Sequence, residues 1–321
     1  MTELAVRDLV KDFRIRDGVR RSRLRAVDDV SFTLTAGRTT ALVGESGSGK
    51  STIARMVARL ESPTSGRIVV STDDGTEVSG RTYRDHVQMV FQDPFASLNP
   101  FHTVEHHLAR PLLLHGRTRG REDTWRQVLH LLERVNLTPA EEIARRRPHE
   151  LSGGQRQRVA IARALAPGAK VVIADEPVSM LDVSIRLGVL NLLGRLQRED
   201  RLAVLYITHD LATARHFADD VAVLYRGRIV ERGPASEVIL RPKHPYTQLL
   251  AAAAPDPDKR GTVVAEPADP VGGGLGPGVH SGCTFRDRCR LALDVCATTP
   301  VEEKVGDAHF ARCWLYGPKD R

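Results

Sequence analysis

The sequence predicts an α/β fold around a largely parallel core sheet, and three observations carry that expectation. Short apolar runs at residues 171–174, 203–207 and 221–225 have the length of buried strands. Longer amphipathic stretches at 125–135 and 187–196 lie among them and read as helices. A glycine-rich turn at 44–49 separates a strand-like run, 40–43, from a helical run, 51–60. Strands alternating with helices in this way give a layered α/β domain.

Taken in chain order, Leu4, Val6 and Leu9 begin a first strand, and Val27, Val30, Phe32 and Leu34 mark a second. Between them, Arg14, Arg16, Arg20, Arg21, Arg23 and Arg25 surround Gly18 and read as an exposed hairpin or insertion. Strands follow at 67–70 and 86–91, helices from 104 to about 143, and a hairpin at 221–225 and 228–230. Pro and Gly crowd residues 267–278, which reads as a linker. All four cysteines lie beyond it, and no internal repeat is present.

The 321 residues are 41% hydrophobic and 27% charged, the composition of a soluble globular protein. No apolar run approaches the roughly 18 residues of a spanning helix. The N-terminus carries Glu3, Arg7 and Asp8 rather than the basic-then-apolar pattern of a leader, so a cytosolic protein is expected. A net charge of +7 permits attraction to anionic lipid or nucleic acid. The arginine cluster has few aromatics to stack on bases, which argues against base reading.

The chemistry begins at Gly44-Glu45-Ser46-Gly47-Ser48-Gly49-Lys50-Ser51, a phosphate-loop pattern between strand and helix. Glycines let the backbone N–H groups approach phosphate oxygens, and the helix N-terminus adds partial positive charge. Lys50 supplies a full charge to the β- and γ-phosphates, and Ser51 offers a hydroxyl to Mg²⁺. Thr52, next along, completes the nucleotide-binding set. Downstream, Val171-Val172-Ile173-Ala174-Asp175-Glu176 is an apolar strand ending in two carboxylates. Asp175 is placed to sit near the metal and Glu176 to act as general base on the attacking water.

Leu151-Ser152-Gly153-Gly154-Gln155, 20 residues before that strand, is where the chain resembles the ABC ATPases. The resemblance implies that Ser152, Gly153, Gly154 and Gln155 bind the γ-phosphate of a nucleotide held by a partner subunit. A head-to-tail dimer with two sandwiched ATP molecules follows from it. Gln92 resembles the residue that senses Mg²⁺, with Ser51 and Asp175 as the other metal contacts. Asp182, in Ser179-Met180-Leu181-Asp182, resembles the D-loop aspartate, with Met180 where Ala is usual. His209, in Ile207-Thr208-His209-Asp210, resembles the switch histidine, and Phe13 is the candidate for stacking on adenine. The fold implied is a P-loop NTPase core of ABC ATPase type. It has an N-terminal antiparallel β subdomain, a helical signature subdomain at about 96–150 and a small cysteine-containing tail.

Finer resemblance lies in the segment 91–100, Phe91-Gln92-Asp93-Pro94-Phe95-Ala96-Ser97-Leu98-Asn99-Pro100, and in His244-Pro245-Tyr246-Thr247 followed by Leu249-Leu250. Both look like the dipeptide, oligopeptide and nickel importer ATPases, as do Gly282-Cys283-Thr284-Phe285 and Arg288-Cys289. Pro177-Val178-Ser179 and the run 189–193 favour the second of that family's paired ATPase subunits. The implied division is an ATPase domain at 1–254, a linker at 255–282 and the family's C-terminal segment at 283–321. The implied partners are a related ATPase subunit, two membrane permease subunits and an extracytoplasmic solute-binding protein, with no nucleic acid. The implied place is the cytoplasmic face of the membrane, and the implied work is ATP-driven peptide import. A nickel or glutathione importer is an alternative; a soluble ABC ATPase acting on nucleic acid or ribosomes is a further one.

Cys283, Cys289, Cys296 and Cys313 leave three readings open. Four thiolates suit a [4Fe–4S] cluster, which tolerates varied spacing. No spacing is a tight zinc knuckle, so zinc is a second reading and free thiols a third. His309 is an alternative ligand.

Overall fold

The computed structural model describes residues 2–17, 20–253 and 281–317, and it divides into two units. The first comprises Met1–Leu4, Leu34–Arg38 and Val70–Leu205; the second comprises Ala5–Thr33, Thr39–Val69 and Tyr206–Arg321. The strands are β1 (Glu3–Asp17), β2 (Arg20–Thr35), β3 (Thr39–Val43), β4 (Ser65–Ser71), β5 (Glu77–Val78) and β6 (Val87–Val90). After the helices come β7 (Val171–Asp175), β8 (Ala203–Thr208), β9 (Asp220–Tyr225), β10 (Arg228–Pro234), β11 (Glu303–Gly306) and β12 (His309–Ala311). The Pro- and Gly-rich stretch at 267–278 lies outside the described residues.

In the second unit β3 is buried along its whole length, as an apolar strand covered on both faces must be. It pairs in parallel with β9, from Thr40 opposite Asp220 to Val43 opposite Val223. The chain then turns through Arg226 and Gly227, both at positive φ, and returns as antiparallel β10. This is the hairpin expected at 221–230, extended at its open end to Pro234. β12 adds to the outer edge of β10, with Glu231 opposite Ala311, and β11 pairs with β12. The C-terminal segment is therefore stitched into this sheet. The sequence shows no strand there, because three residues of β12 carry no periodicity of their own and pair only because an edge is offered.

The arginine-rich stretch lies where β1 and β2 meet, with Gly18 and Val19 outside the described residues. Part of its charge is neutralised locally. Arg23 and Arg25 reach Asp12 at 3.3 and 2.9 Å, and Arg25 also reaches Asp28 at 3.1 Å. The hydrogen bond from Arg25 holds the Asp12 carboxyl below its ordinary range.

In the first unit β6 runs parallel to β7, from Val87 opposite Val171 to Val90 opposite Ala174. The helical region expected from 104 to about 143 is present as Val104–Leu114, Gly120–Arg134 and Ala140–Arg145, packed with Gly153–Leu165. The helix expected at 187–196 is longer, Val183–Asp200. Among the described residues, no helix is long and apolar enough to cross a membrane.

Candidate functional site

The phosphate loop of the second unit joins β3 to the helix Lys50–Val57. Gly44 and Gly49 are there because nothing larger fits. A Cβ on Gly44 would meet the Leu224 carbonyl oxygen at 2.2 Å; Gly49 sits at φ +108°, with the Ala26 carbonyl oxygen 2.5 Å from where a Cβ would be. Lys50 is buried, and its Nζ donates to the carbonyls of Gly44 and Glu45 at 2.7 and 2.9 Å. The ammonium thus closes the loop on itself at the position where phosphate charge is to be met. Ser48 Oγ is buried without a hydrogen-bond partner, a polar atom inside the loop suited to an anionic ligand. Ser46, Gly47 and Ser51 are exposed, and Thr52 is half-buried on the helix.

Two other expected residues share this unit. His209 follows β8 and is exposed; the next residue, Asp210, caps the helix Leu211–Phe217 by accepting the Ala212 N–H at 2.8 Å. Phe13, on β1, is half-buried with the Lys11 ammonium 5.0 Å from its ring centre.

The first unit holds the carboxylates. Asp175 ends β7 and is buried. Glu176 follows at φ +44°, a left-handed conformation that non-glycine residues seldom adopt and that concentrates at functional positions. Gln92 Nε2 donates to Glu176 Oε2 at 2.9 Å, so two residues 84 apart in sequence meet at one carboxylate. Ser179 fixes the turn by donating its hydroxyl to the Glu176 carbonyl at 3.0 Å. Within this unit Gln92 and Asp175 offer oxygen donors of the kind Mg²⁺ takes; Ser51 offers another in the second unit.

Ser152 caps the helix Gly153–Leu165 reciprocally: its Oγ accepts the Gln155 N–H at 3.3 Å, and Gln155 Oε1 accepts the Ser152 N–H at 2.9 Å. A Cβ on Gly154 would lie 2.6 Å from Ile185 Cγ2, and one on Gly153 3.4 Å from Leu181 Cδ2. The signature turn therefore packs closely on the segment around Asp182, which is exposed before the helix Val183–Asp200.

What the C-terminal segment does to the phosphate loop is visible only in the fold. Arg288 donates to both Glu45 carboxylate oxygens, at 3.0 and 3.1 Å, and the Tyr246 hydroxyl accepts the Glu45 N–H at 3.0 Å. The His-Pro-Tyr motif signals something at Tyr246; no local pattern marks Arg288, which is 243 residues from Glu45.

No disulfide joins the four cysteines. Burial raises Cys283, and burial together with the charge of the other three thiols pushes Cys313 up to about 11. Among the described residues, no three His, Cys, Asp or Glu side chains are grouped so as to hold a metal ion. The [4Fe–4S] and zinc expectations at Cys283, Cys289, Cys296 and Cys313 thus find no support in this geometry. His309 is engaged elsewhere, buried with its Nε2 2.7 Å from Glu231 Oε1.

The ABC transporter family pattern matches residues 27–179, and the pattern for the oligopeptide/dipeptide transporter C-terminal region matches 230–296. The oligopeptide transport ATP-binding protein AppF of Bacillus subtilis (strain 168) is 43% identical, over 98% of each chain. The di/tripeptide transport ATP-binding protein DppF of Pseudomonas aeruginosa (strain UCBPP-PA14) is also 43% identical, over 97% of each. Among solved structures, the dimeric post-hydrolysis ATP-binding cassette MJ0796, bound to ADP and Pi, is 30% identical with a TM-score of 0.60. That match covers 72% of this chain and 98% of the other.

Proposed function

The chain belongs to the ATP-binding subunits of ABC transporters, with the C-terminal region of the oligopeptide/dipeptide branch, and from that premise we propose that it powers peptide import. It is an ATPase. The peptide cargo is supported by near-full-length relatives named for oligopeptides and di/tripeptides. That same similarity favours peptides over nickel or glutathione. A role on nucleic acid or ribosomes has less behind it, since Asp12 and Asp28 already neutralise part of the basic cluster.

The residue assignments belong to the same proposal. Lys50, the backbone of 44–51 and the helix N-terminus bind the phosphates, with Thr52 beside them. Ser51, Gln92 and Asp175 would hold Mg²⁺, which when bound would neutralise charge developing on the transferred phosphoryl group. Glu176 takes the proton from the attacking water. The Gln92 amide, donating to its carboxylate, holds that base in place. His209 contacts the γ-phosphate, Phe13 stacks on adenine, and Ser152 to Gln155 with Asp182 serve the nucleotide of a partner ATPase. That partner is a related subunit, and the pair works at the cytoplasmic face of the membrane with two permease subunits and an external solute-binding protein.

The observation that carries the catalytic part is Glu176 itself, strained at the end of a buried strand and held by Gln92. Glu176→Gln is expected to keep Mg-ATP binding and to slow phosphate release by about 10²- to 10⁴-fold. Hydrolysis within about threefold of the wild type, against that expected range, removes Glu176 from the role of base.

A further inference from the structure

Glu45 is the second residue of the phosphate loop, and nothing in phosphate binding calls for a carboxylate there. Left alone it would repel an anionic ligand. The structure answers that charge from the far end of the chain. Arg288 grips the Glu45 carboxylate through two parallel hydrogen bonds, and its Nη1 lies 3.5 Å from the Tyr225 hydroxyl. Its guanidinium also stands 5.8 and 5.7 Å from the ring centres of Tyr225 and Phe285.

The base under Arg288 is held by hydrogen bonds and packing. It occupies a single 3-10 turn, Arg286–Arg288, held by hydrogen bonds from the Arg286 N–H to the Cys283 carbonyl and from the Cys289 N–H to the Arg286 carbonyl, each 3.1 Å. Phe285 beside it is buried, edge-on to Tyr225 at 5.2 Å and against Tyr246 at 5.5 Å. Tyr246 in turn receives the Glu45 N–H. Backbone and side chain of one loop residue are thus both held, from two separate segments of the second unit.

The geometry points to Arg288 as a positioning residue of the nucleotide site: from the C-terminal segment it neutralises Glu45 and, with Tyr246, holds the phosphate loop in its binding shape. A loop with glycines at 44, 47 and 49 loses much freedom when a ligand orders it, and a clamp made beforehand lowers that cost. This inference rests on the reading of residues 44–51 as the phosphate site.

The test is calorimetric titration of the full chain with Mg-ATP. The ion pair is about one-third exposed on each side, which limits its strength, while its forked geometry adds to it. Arg288→Ala is therefore expected to weaken ATP binding about three- to tenfold. Arg288→Lys, with a point charge in place of the fork, recovers part of the loss. In a Glu45→Gln background the same Arg288→Ala change has an effect below about twofold, because the charge it answers is gone. Binding within twofold of wild type in Arg288→Ala overturns the inference. So does a loss of equal size with and without Glu45, which would mean that Arg288 only keeps its own segment folded. Lys50→Ala separates the two readings. If it binds ATP normally, the phosphate-site reading fails and takes this one with it. If it loses ATP while Arg288→Ala does not, only the Arg288 inference falls.

Discussion

His244 is buried, and its Nδ1 accepts the Tyr246 backbone N–H at 3.0 Å, so the neutral ring must carry its proton on Nε2. Protonating Nδ1 would break that bond and place a charge on a ring shut off from water. Burial accordingly pushes the His244 pKa down to about 4, against about 6.5 in the unfolded chain. A depressed folded pKa contributes stability that is complete above about 6.5 and is lost as pH falls toward 4, with a full span of about 3 kcal/mol. Urea unfolding at pH 7 and pH 4.5 measures it. The wild type is expected to lose stability across that interval. His244→Asn, which keeps an acceptor for Tyr246 without a titrating ring, is expected to lose less. Equal losses would assign the acid sensitivity to other groups. The residues legible in the sequence are those whose function is written in neighbours. Gly44 to Ser51, Asp175 with Glu176, and Ser152 to Gln155 are contiguous patterns, each dictated by local backbone geometry. Arg288 and Tyr246 meet Glu45, and Glu231 meets His309, across long separations, and no window of sequence contains both partners of these contacts.

β12 shows the same limit one level up. The hairpin of β9 and β10 is readable from its apolar runs at 221–225 and 228–230, whereas β12 exists because β10 has an edge to cover. Its anchor is chemical. Glu231 is a fully buried carboxylate that receives the Lys243 and His244 N–H groups, both at 2.8 Å, and lies against His309 from β12. Read from sequence, His309 is a candidate ligand for a metal near the cysteines; in the fold it is a partner for a buried acid. Removing His309 takes a hydrogen-bond partner from a buried carboxyl oxygen, at a cost of about 1–3 kcal/mol. His309→Leu is expected to approach that loss in urea or thermal unfolding and to loosen 281–317 toward proteases. Unchanged stability would mean that the two backbone donors alone satisfy Glu231.

At the scale of the whole molecule, the phosphate loop and the Ser152 turn belong to different units of one chain. Resemblance to the ABC ATPases implies that each bound ATP is completed by the signature of a second subunit. Which subunit that is bears on how the chain behaves alone. Two identical copies each bring a net charge of +7, which opposes their association. The resemblance of Pro177-Val178-Ser179 and residues 189–193 to one member of a paired system points to a related, non-identical partner. The isolated chain, carrying Glu176→Gln to prevent hydrolysis, is therefore expected to sediment mainly as a monomer with Mg-ATP. The wild-type chain alone should turn over slowly and speed up when the related ATPase and the permease subunits are added. A stable homodimer of the isolated chain at full activity, indifferent to any permease or second ATPase, would contradict both the pairing and the importer role. A homodimer that responds to the permeases would contradict the pairing alone, because the transport coupling would then survive with one kind of ATPase subunit.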